Sequence, residues 1–187
     1  VDEDQIAPSA ITHLEGYLWD PPGAKEAFMK AMGAARAAVR KVALSLSDGF
    51  CVDRHREEFL DLVEHHVDIL FANEDEIKSL YETDEFDTAM QAAREHCEIA
   101  ALTRSEKGAV IVSGDEVHVI DAEPVARVVD TTGAGDIYAA GFLTGLAEGR
   151  GLRDCGHMAG IGAAEVISHM GARPEADLKA LMKEKLS

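Results

Sequence analysis

The chain has 187 residues, a length that suits one ordinary domain with a substantial core. Its hydrophobic content of 47% excludes intrinsic disorder. The formal net charge of −17 argues against nucleic acids and anionic membranes as partners, because an acidic protein repels both. A small anionic ligand stays compatible, since local hydrogen-bond donors and a divalent cation can outweigh the global field.

The cysteines and the termini indicate the compartment. Cys51, Cys97 and Cys155 are odd in number, widely spaced and in no metal-like pattern, which predicts free thiols in a reducing cytosol. No run approaches the roughly 18 apolar residues that span a bilayer. The acidic N-terminus also lacks the basic and apolar regions of a signal peptide. We therefore expect a soluble, cytoplasmic protein.

Apolar strand-like runs alternate with helical patterns in the first part of the chain. Strands are expected at residues 11–18, 41–46, 67–71 and 99–103. Crossover helices are expected at residues 24–40 and 53–65. This alternation predicts βαβ units and hence an α/β fold with a mostly parallel sheet.

The alternation of strands and helices ends after Thr103. Short strands are expected at residues 109–112, 117–120 and 125–129, which together form a meander. A helix is then expected from Ile137, and the remaining chain is nearly all helical. We find no internal repeat and no linker, so residues 1–187 are treated as part of a single domain.

The most informative motif is the turn at residues 130–136, which reads DTTGAGD. Gly133, Ala134 and Gly135 let the backbone turn sharply, so that the first N–H groups of the next helix face an anion. Asp136 would repel a phosphate unless a metal or a proton transfer takes part. A kinase site needs at least a carboxylate that accepts the proton of the substrate hydroxyl and backbone donors that bind the phosphoryl group. The alternative is a Gly-rich turn whose acidic residue stabilises the first helical turn.

A second constellation is Asn73 and Glu76, which follow a buried-looking strand. Spacing alone favours a capping box, in which Asn73 caps a helix and Glu76 reaches back. Their position at the carboxyl end of a strand is also where open α/β sheets bind ligands. A third segment, residues 102–108, reads as a β-turn between two strands.

The turn at residues 130–136 and the following IYAAGF resemble the C-terminal signature of the ribokinase-like (PfkB) carbohydrate and nucleoside kinases. The resemblance implies that Asp136 is the catalytic base and that the amides of Gly133, Ala134 and Gly135 form an anion hole. It also implies a monovalent-cation site, with K⁺ as the candidate, to which Asp130 and Thr132 contribute.

The same resemblance assigns the cofactor sites. Asn73 and Glu76 would organise Mg²⁺ and its waters, a role compatible with the capping box. The nucleotide site for ATP would include the turn residues Thr103, Ser105 and Gly108, although the family usually has glycine where Ser105 stands. Ala163 and Ala164 would flank the adenine, and Ala or Gly in a helix more often serves close packing.

The segment at residues 14–18 resembles the strand end that faces the substrate in adenosine-kinase-like members. Glu15 and Tyr17 are therefore candidates, beside Asp136, for contact with the substrate. The alternative is ordinary packing, which is the more frequent role of aromatic residues near strands.

The resemblance covers the whole chain but only the C-terminal part of the family. It implies a ribokinase-like three-layer αβα fold whose N-terminal portion and lid are missing. We expect a fragment that is inactive alone and that exposes apolar surface where the missing N-terminal portion packs. Expected partners are a small nucleoside or sugar, that missing portion and a second copy in a homodimer.

The favoured function is an ATP-dependent phosphotransferase acting on a hydroxymethyl group, with adenosine as the leading substrate. One alternative is a sugar kinase for a ketohexose, ribose or ketodeoxygluconate. Another is a catalytically silent nucleotide-binding relative, against which the presence of Asp136 argues, because pure binding needs no base.

Overall fold

A computed structural model describes residues 1–186. In this range the chain forms α1 (Glu3–Ile6), β1 (Ile11–Glu15), α2 (Pro22–Ala37), β2 (Lys41–Ser45), α3 (Gly49–His65), β3 (Ile69–Asn73), α4 (Glu74–Leu80), α5 (Phe86–His96), β4 (Ile99–Thr103), β5 (Ala109–Ser113), β6 (Glu116–Ile120), α6 (Ala134–Ala147), α7 (Leu152–Val166) and α8 (Leu178–Lys185). Short 3₁₀ helices cover Gly16–Trp19 and Ser105–Lys107. None of the helices in this range combines the length and apolar composition that crossing a bilayer requires.

The strands form one sheet in the order β1-β2-β3-β4-β5-β6. The first four strands are parallel, with Glu15 opposite Ser45 and Asn73 opposite Thr103. Helical crossovers connect them, as parallel pairing requires. The links at residues 104–108 and 114–115 are too short for the helical crossover that parallel neighbours require. The expected α/β fold with a mostly parallel sheet is thus confirmed.

The chain divides into two compact units, one of residues 1–103 and 112–117 and the other of residues 104–111 and 118–186. In the first unit the core lies on β2, β3 and β4, whose runs are almost continuously buried, as in sheets covered on both faces. Leu44, Leu70 and Leu102 are at most 1% exposed. Phe59, Leu62 and Val63 of α3 are also buried, as their helical spacing predicts.

Several predicted elements differ from the structure. The helix expected from residue 53 begins at Gly49 and the strand expected at residues 67–71 is Ile69–Asn73, and three further differences have an identifiable cause. The strand expected to reach residue 18 ends at Glu15, because the chain turns at Gly16, where a Cβ would lie 2.6 Å from the Leu46 carbonyl oxygen. Residues 125–129 form no strand; Val128 is 54% exposed and the Val129 amide donates to the Ile167 carbonyl. The helix expected from Ile137 already begins at Ala134.

In the second unit, α6 and α7 approach closely because small residues face each other. A Cβ on Gly141 would lie 2.9 Å from the Cα of Ala159, and one on Gly145 would lie 2.8 Å from the Cys155 sulfur. At Gly156 it would lie 2.5 Å from a methyl carbon of Ile111. Gly141 and Gly145 therefore set the distance between the two helices, whereas Gly156 lets α7 approach Ile111.

We predict that Gly141→Ala lowers the free energy of unfolding by about 1 to 3 kcal/mol, because the added methyl group meets backbone atoms that cannot rotate away. Denaturant unfolding followed by circular dichroism measures the change. Gly33→Ala is the control: Gly33 lies within α2 with nothing within 4 Å of the added carbon, so this change should stabilise by about 0.5 to 1 kcal/mol. Equal effects at both positions would contradict the packing account.

Candidate active site

Gly133 governs the geometry of the turn at residues 130–136. It is the N-cap of α6 in the left-handed conformation, with φ of 80°. A Cβ there would lie 2.7 Å from the Cβ of Ala172 and 2.9 Å from its carbonyl oxygen. Backbone conformation and lack of space both require glycine. The early start of α6 follows from this cap.

The start of α6 presents unsatisfied backbone donors, as the sequence predicts. Within residues 1–186, no acceptor is found for the amides of Gly133, Gly135 and Asp136. The amide of Ala134 differs from expectation, because it donates to the Thr131 carbonyl at 3.2 Å. Gly135 and Asp136 are exposed. Free donors at the positive end of a helix dipole can bind an anion beside the Asp136 carboxylate.

The side chain of Asp130 holds this turn in place. Its Oδ1 accepts from the Thr132 amide at 2.9 Å and from the Thr132 hydroxyl at 2.6 Å, and its Oδ2 accepts from the Gly171 amide at 2.9 Å. Hydrogen bonds from Thr132, followed by the one from Gly171, lower the pKa of Asp130 to about 2. The carboxylate therefore ties the turn to the segment after α7. Its contribution to a cation site stays a prediction.

Asn73 and Glu76 form the predicted capping box, which is confirmed. The Asn73 side chain accepts from the Glu76 amide at 2.8 Å, and Glu76 accepts from the Asn73 amide at 2.9 Å and from its side-chain amide at 2.8 Å. Glu76 is only 7% exposed. Burial raises the pKa of Glu76 to about 7, with the charges of Asp48, Asp75 and Glu15 adding to the shift. A cation nearby would favour its charged form.

The parallel register brings the Mg²⁺ and nucleotide candidates of the first unit together. Asn73 and Thr103 are paired residues at the carboxyl ends of β3 and β4. This edge is where open α/β sheets bind ligands. Ala163 and Ala164 lie half-buried near the end of α7, and their contact with adenine stays a prediction.

In the turn after β4, Ser105 stands where the resembling kinases usually have glycine, and its backbone conformation is one that favours glycine. Ser105 has a φ of 53°, a conformation that glycine adopts without strain and other residues rarely adopt. The turn is closed by a hydrogen bond from the Arg104 amide to the Gly108 carbonyl, at 2.7 Å. Gly108 itself is irreplaceable, because a Cβ there would lie 2.0 Å from the Ile120 carbonyl oxygen. Ser105 thus keeps the glycine-like backbone.

The substrate candidates lie where β1 ends. Glu15 accepts a hydrogen bond from the Ser47 hydroxyl at 2.8 Å, and its other carboxylate oxygen lies 3.5 Å from Nε2 of His13. Tyr17, in the following 3₁₀ helix, is 53% exposed. Glu15 is therefore held in one place, whereas Tyr17 faces solvent.

Sequence reasoning missed Ser47 and Asp48, which follow β2 at the same edge. Ser47 has a φ of 68° and donates to Glu15, while Asp48 caps α3 by accepting from the Phe50 amide at 3.2 Å. The signal was available, because Ser-Asp-Gly after a buried strand marks a polar turn at a carboxyl end.

The comparison with known proteins identifies the class. The family model described as "pfkB family carbohydrate kinase" matches residues 1–178, and the chain belongs to this family. The predicted kinship with ribokinase-like kinases is thereby confirmed.

Solved structures and curated relatives show which members of the family this chain is similar to. A probable sugar kinase from Rhizobium etli CFN 42 is 47% identical with a TM-score of 0.97, and the match covers 99% of this chain and 56% of that one. An adenosine kinase from Sinorhizobium meliloti is 46% identical with a TM-score of 0.97, over 99% and 57% of the two chains. A nucleoside kinase from Methanocaldococcus jannaschii is 28% identical, over 74% of this chain and 45% of the relative. The chain spans about half the length of these relatives.

We predict that Gly133→Ala destabilises the protein more than Gly149→Ala does. Both glycines flank α6 with positive φ, 80° and 74°, so each alanine meets a similar conformational penalty of about 1 to 2 kcal/mol. Only at Gly133 does the added carbon meet Ala172, whereas nothing lies within 4 Å at Gly149. The clash adds about 1 to 3 kcal/mol. Denaturant unfolding measures both variants, and equal losses would exclude a role for the Ala172 contact.

Proposed function

We propose that the protein containing this chain is an ATP-dependent kinase that phosphorylates a hydroxymethyl group of a nucleoside, with adenosine as the leading substrate. Residues 1–187 are the C-terminal part of its single kinase domain. The observation that carries the proposal is the start of α6, where unsatisfied amides adjoin the Asp136 carboxylate. Similarity to the adenosine kinase of Sinorhizobium meliloti is the ground for placing adenosine first among the acceptors to be tested.

Asp136 is the base that takes the proton of the substrate hydroxyl. It is exposed at the third position of α6, so a substrate oxygen can reach it from solvent. The amides of Gly133 and Gly135 donate to the phosphoryl group and stabilise the charge that it carries during transfer. The amide of Ala134 joins them only when it gives up its bond to Thr131.

The residues for the cofactors fit an oxygen-rich cation site and a nucleotide turn. Asn73 and Glu76 offer an amide and a carboxylate oxygen, ligands that suit Mg²⁺ and its retained waters. Mg²⁺ supplies charge neutralisation for the phosphates of ATP when it is bound. The raised pKa of Glu76 fits this role, because the buried carboxylate has no cationic partner among the residues that shift it. Thr103 is the nucleotide candidate of the first unit, Ser105 and Gly108 are those of the second, and Asp130 and Thr132 would contribute to a K⁺ site.

We predict that Asp136→Asn in the full-length protein lowers kcat by a factor of about 10² to 10⁴, because the amide cannot accept the hydroxyl proton. Binding of ATP should persist, since the backbone donors remain. A coupled assay of ADP release and equilibrium binding of a fluorescent ATP analogue measure the two effects.

Asp154→Asn is the matched control for this experiment. Asp154 is also exposed and also occupies the third position of its helix, α7. Both substitutions remove the same favourable charge from a helix N-terminus, but only Asp136 adjoins the proposed anion hole. Near-normal turnover of Asp136→Asn, or an equal loss in Asp154→Asn, would refute Asp136 as the base.

The second candidate is a sugar kinase, which the similarity to the probable sugar kinase of Rhizobium etli favours. We predict that kcat/KM of the full-length protein for adenosine exceeds the values for ribose, fructose and ketodeoxygluconate. An ADP-release assay over these four acceptors measures the ratio. A preference for a sugar would replace adenosine while keeping the site, and no turnover of any acceptor with intact ATP binding would favour a silent relative.

A further inference from the structure

A cysteine, a histidine and an aspartate converge in the first unit, apart from the residues assigned to phosphoryl transfer. Asp20 follows the 3₁₀ helix after β1, whereas Cys51 and His55 lie four residues apart on α3, which follows β2. One ligand atom from each of the three side chains lies within 4.8 Å of the others. The pattern is invisible in the sequence, because Asp20 is distant from the Cys-x-x-x-His pair.

His55 occupies the centre of the cluster. Its Nε2 lies 2.8 Å from Oδ1 of Asp20, and its Nδ1 lies 3.4 Å from Oε2 of Glu58. The backbone at His55 leaves helical geometry, with φ of −124° and ψ of 24°, so α3 is kinked where the ring enters the cluster. The ring packs edge-on against Phe59 at a centroid distance of 6.3 Å. Its orientation is therefore fixed from several sides.

A carboxylate on the second ring nitrogen is typical of metal-binding histidines, because it sets the tautomer and makes the ligating nitrogen more basic. Glu58 is itself held in place. Its two carboxylate oxygens accept from Nζ of Lys25 at 2.8 and 2.6 Å, and Oε2 also accepts from the indole N–H of Trp19. Oε2 of Glu58 lies 3.4 Å from Nδ1 of His55, so a modest approach would make Glu58 the outer-shell carboxylate if Nε2 of His55 were a ligand.

The side chains of Asp20 and Cys51 also lie in positions that suit metal binding. Arg54 donates to Oδ2 of Asp20 at 2.6 Å, which leaves Oδ1 on the side of His55. Cys51 is 1% exposed and its thiol donates to the Gly16 carbonyl at 3.4 Å. Burial raises the pKa of Cys51, which keeps the thiol protonated without a metal. Asp20 has 45% of its side chain exposed, so an ion can enter from solvent.

We propose that Asp20, Cys51 and His55 bind one Zn²⁺ ion, with Glu58 as the carboxylate behind His55 and water in the fourth position. Thiolate, imidazole and carboxylate together select a borderline-soft cation over Mg²⁺. Bond lengths of about 2.0 to 2.3 Å place tetrahedral ligand atoms roughly 3.3 to 3.6 Å apart. Binding therefore requires the sulfur to approach and the Asp20–His55 pair, now 2.8 Å apart, to open to that separation.

The protons balance as follows. Binding forms bonds from zinc to sulfur, nitrogen and oxygen and breaks the S–H bond of Cys51, whose proton goes to solvent. The hydrogen bond between Asp20 and His55 is replaced by the metal. Neutral His55 donates from Nε2 to Asp20 in the free protein, so on binding this proton leaves Nε2 and Nδ1 takes one up on the side of Glu58. When His55 starts as the imidazolium, the Nε2 proton goes to solvent and Nδ1 keeps its own.

Co²⁺ replaces Zn²⁺ as the spectroscopic probe, because a cobalt–thiolate bond gives a charge-transfer absorption in the near ultraviolet that water and carboxylates do not give. Titration of the reduced full-length protein with CoCl₂ should produce this band with one equivalent bound, and ZnCl₂ should abolish it. Cys51→Ser should remove the band. Cys97→Ser and Cys155→Ser, which alter the other two buried thiols, should retain it.

Glu58→Gln separates the metal site from a plain network of ion pairs. Loss of the outer-shell carboxylate should weaken Co²⁺ binding by about 10- to 100-fold while the band remains, as for other outer-shell carboxylates. Glu57→Gln, an exposed neighbour on the same helix, should leave the affinity unchanged. Circular dichroism of each variant confirms that it is folded.

His55→Gln and Asp20→Asn test the remaining ligands without altering a buried thiol, and each should weaken Co²⁺ binding by at least 10-fold. Zn²⁺ should also raise the melting temperature of the wild-type protein but not that of Cys51→Ser. Absence of a thiolate band in the wild type, its persistence in Cys51→Ser, or its loss in Cys97→Ser would overturn the proposal. None of these readouts depends on kinase activity, so the proposal stands or falls separately from the proposed function.

Discussion

The parallel register of β1 to β4 is the constraint on which the candidate residues of the first unit depend. Because each strand runs in the same direction, Glu15, Ser45 and the pair of Asn73 and Thr103 all mark carboxyl ends at one edge of the sheet. The polar turns after the strands follow from this, since the apolar runs continue only as long as both faces are covered. A slip of one residue in any strand would turn its side chains to the opposite face of the sheet and move its last residue out of line with the others at this edge.

The same polar groups serve local stability and are available for ligands. Asn73 and Glu76 satisfy backbone donors at the start of α4, and Asp130 satisfies two in and near its own turn. Such groups occupy one conformation before a ligand arrives, so binding does not have to order them. This overlap also means that a capping function and a ligand function cannot be told apart from spacing.

Elements with a local cause could be predicted from the sequence. The strand at residues 99–103 matches in full, and the capping box follows from Asn73 and Glu76 alone. A strand was predicted at residues 125–129 because its valines have strand propensity. The conformation of this segment depends instead on a tertiary hydrogen bond from the Val129 amide to the Ile167 carbonyl.

Contacts between distant parts of the chain explain the other misses. The start of α6 depends on Gly133 against Ala172, and the bond from the Gly171 amide to Asp130 spans 41 residues. The cluster of Asp20 with Cys51 and His55 arises only when β1 and β2 pair. No local pattern contains that information.

The glycine and alanine contact between α6 and α7 has a consequence for conformational entropy. Glycine and alanine have no rotamers to freeze, so this helix pair forms without the side-chain entropy loss of a leucine-rich contact. The entropy cost falls on the backbone instead, because glycine is the most flexible residue in the unfolded chain and loses the most conformational entropy on folding. Where Gly141 meets Ala159 the two helices have no side-chain rotamer to exchange, so α6, whose third residue is Asp136, meets α7 there in a single arrangement.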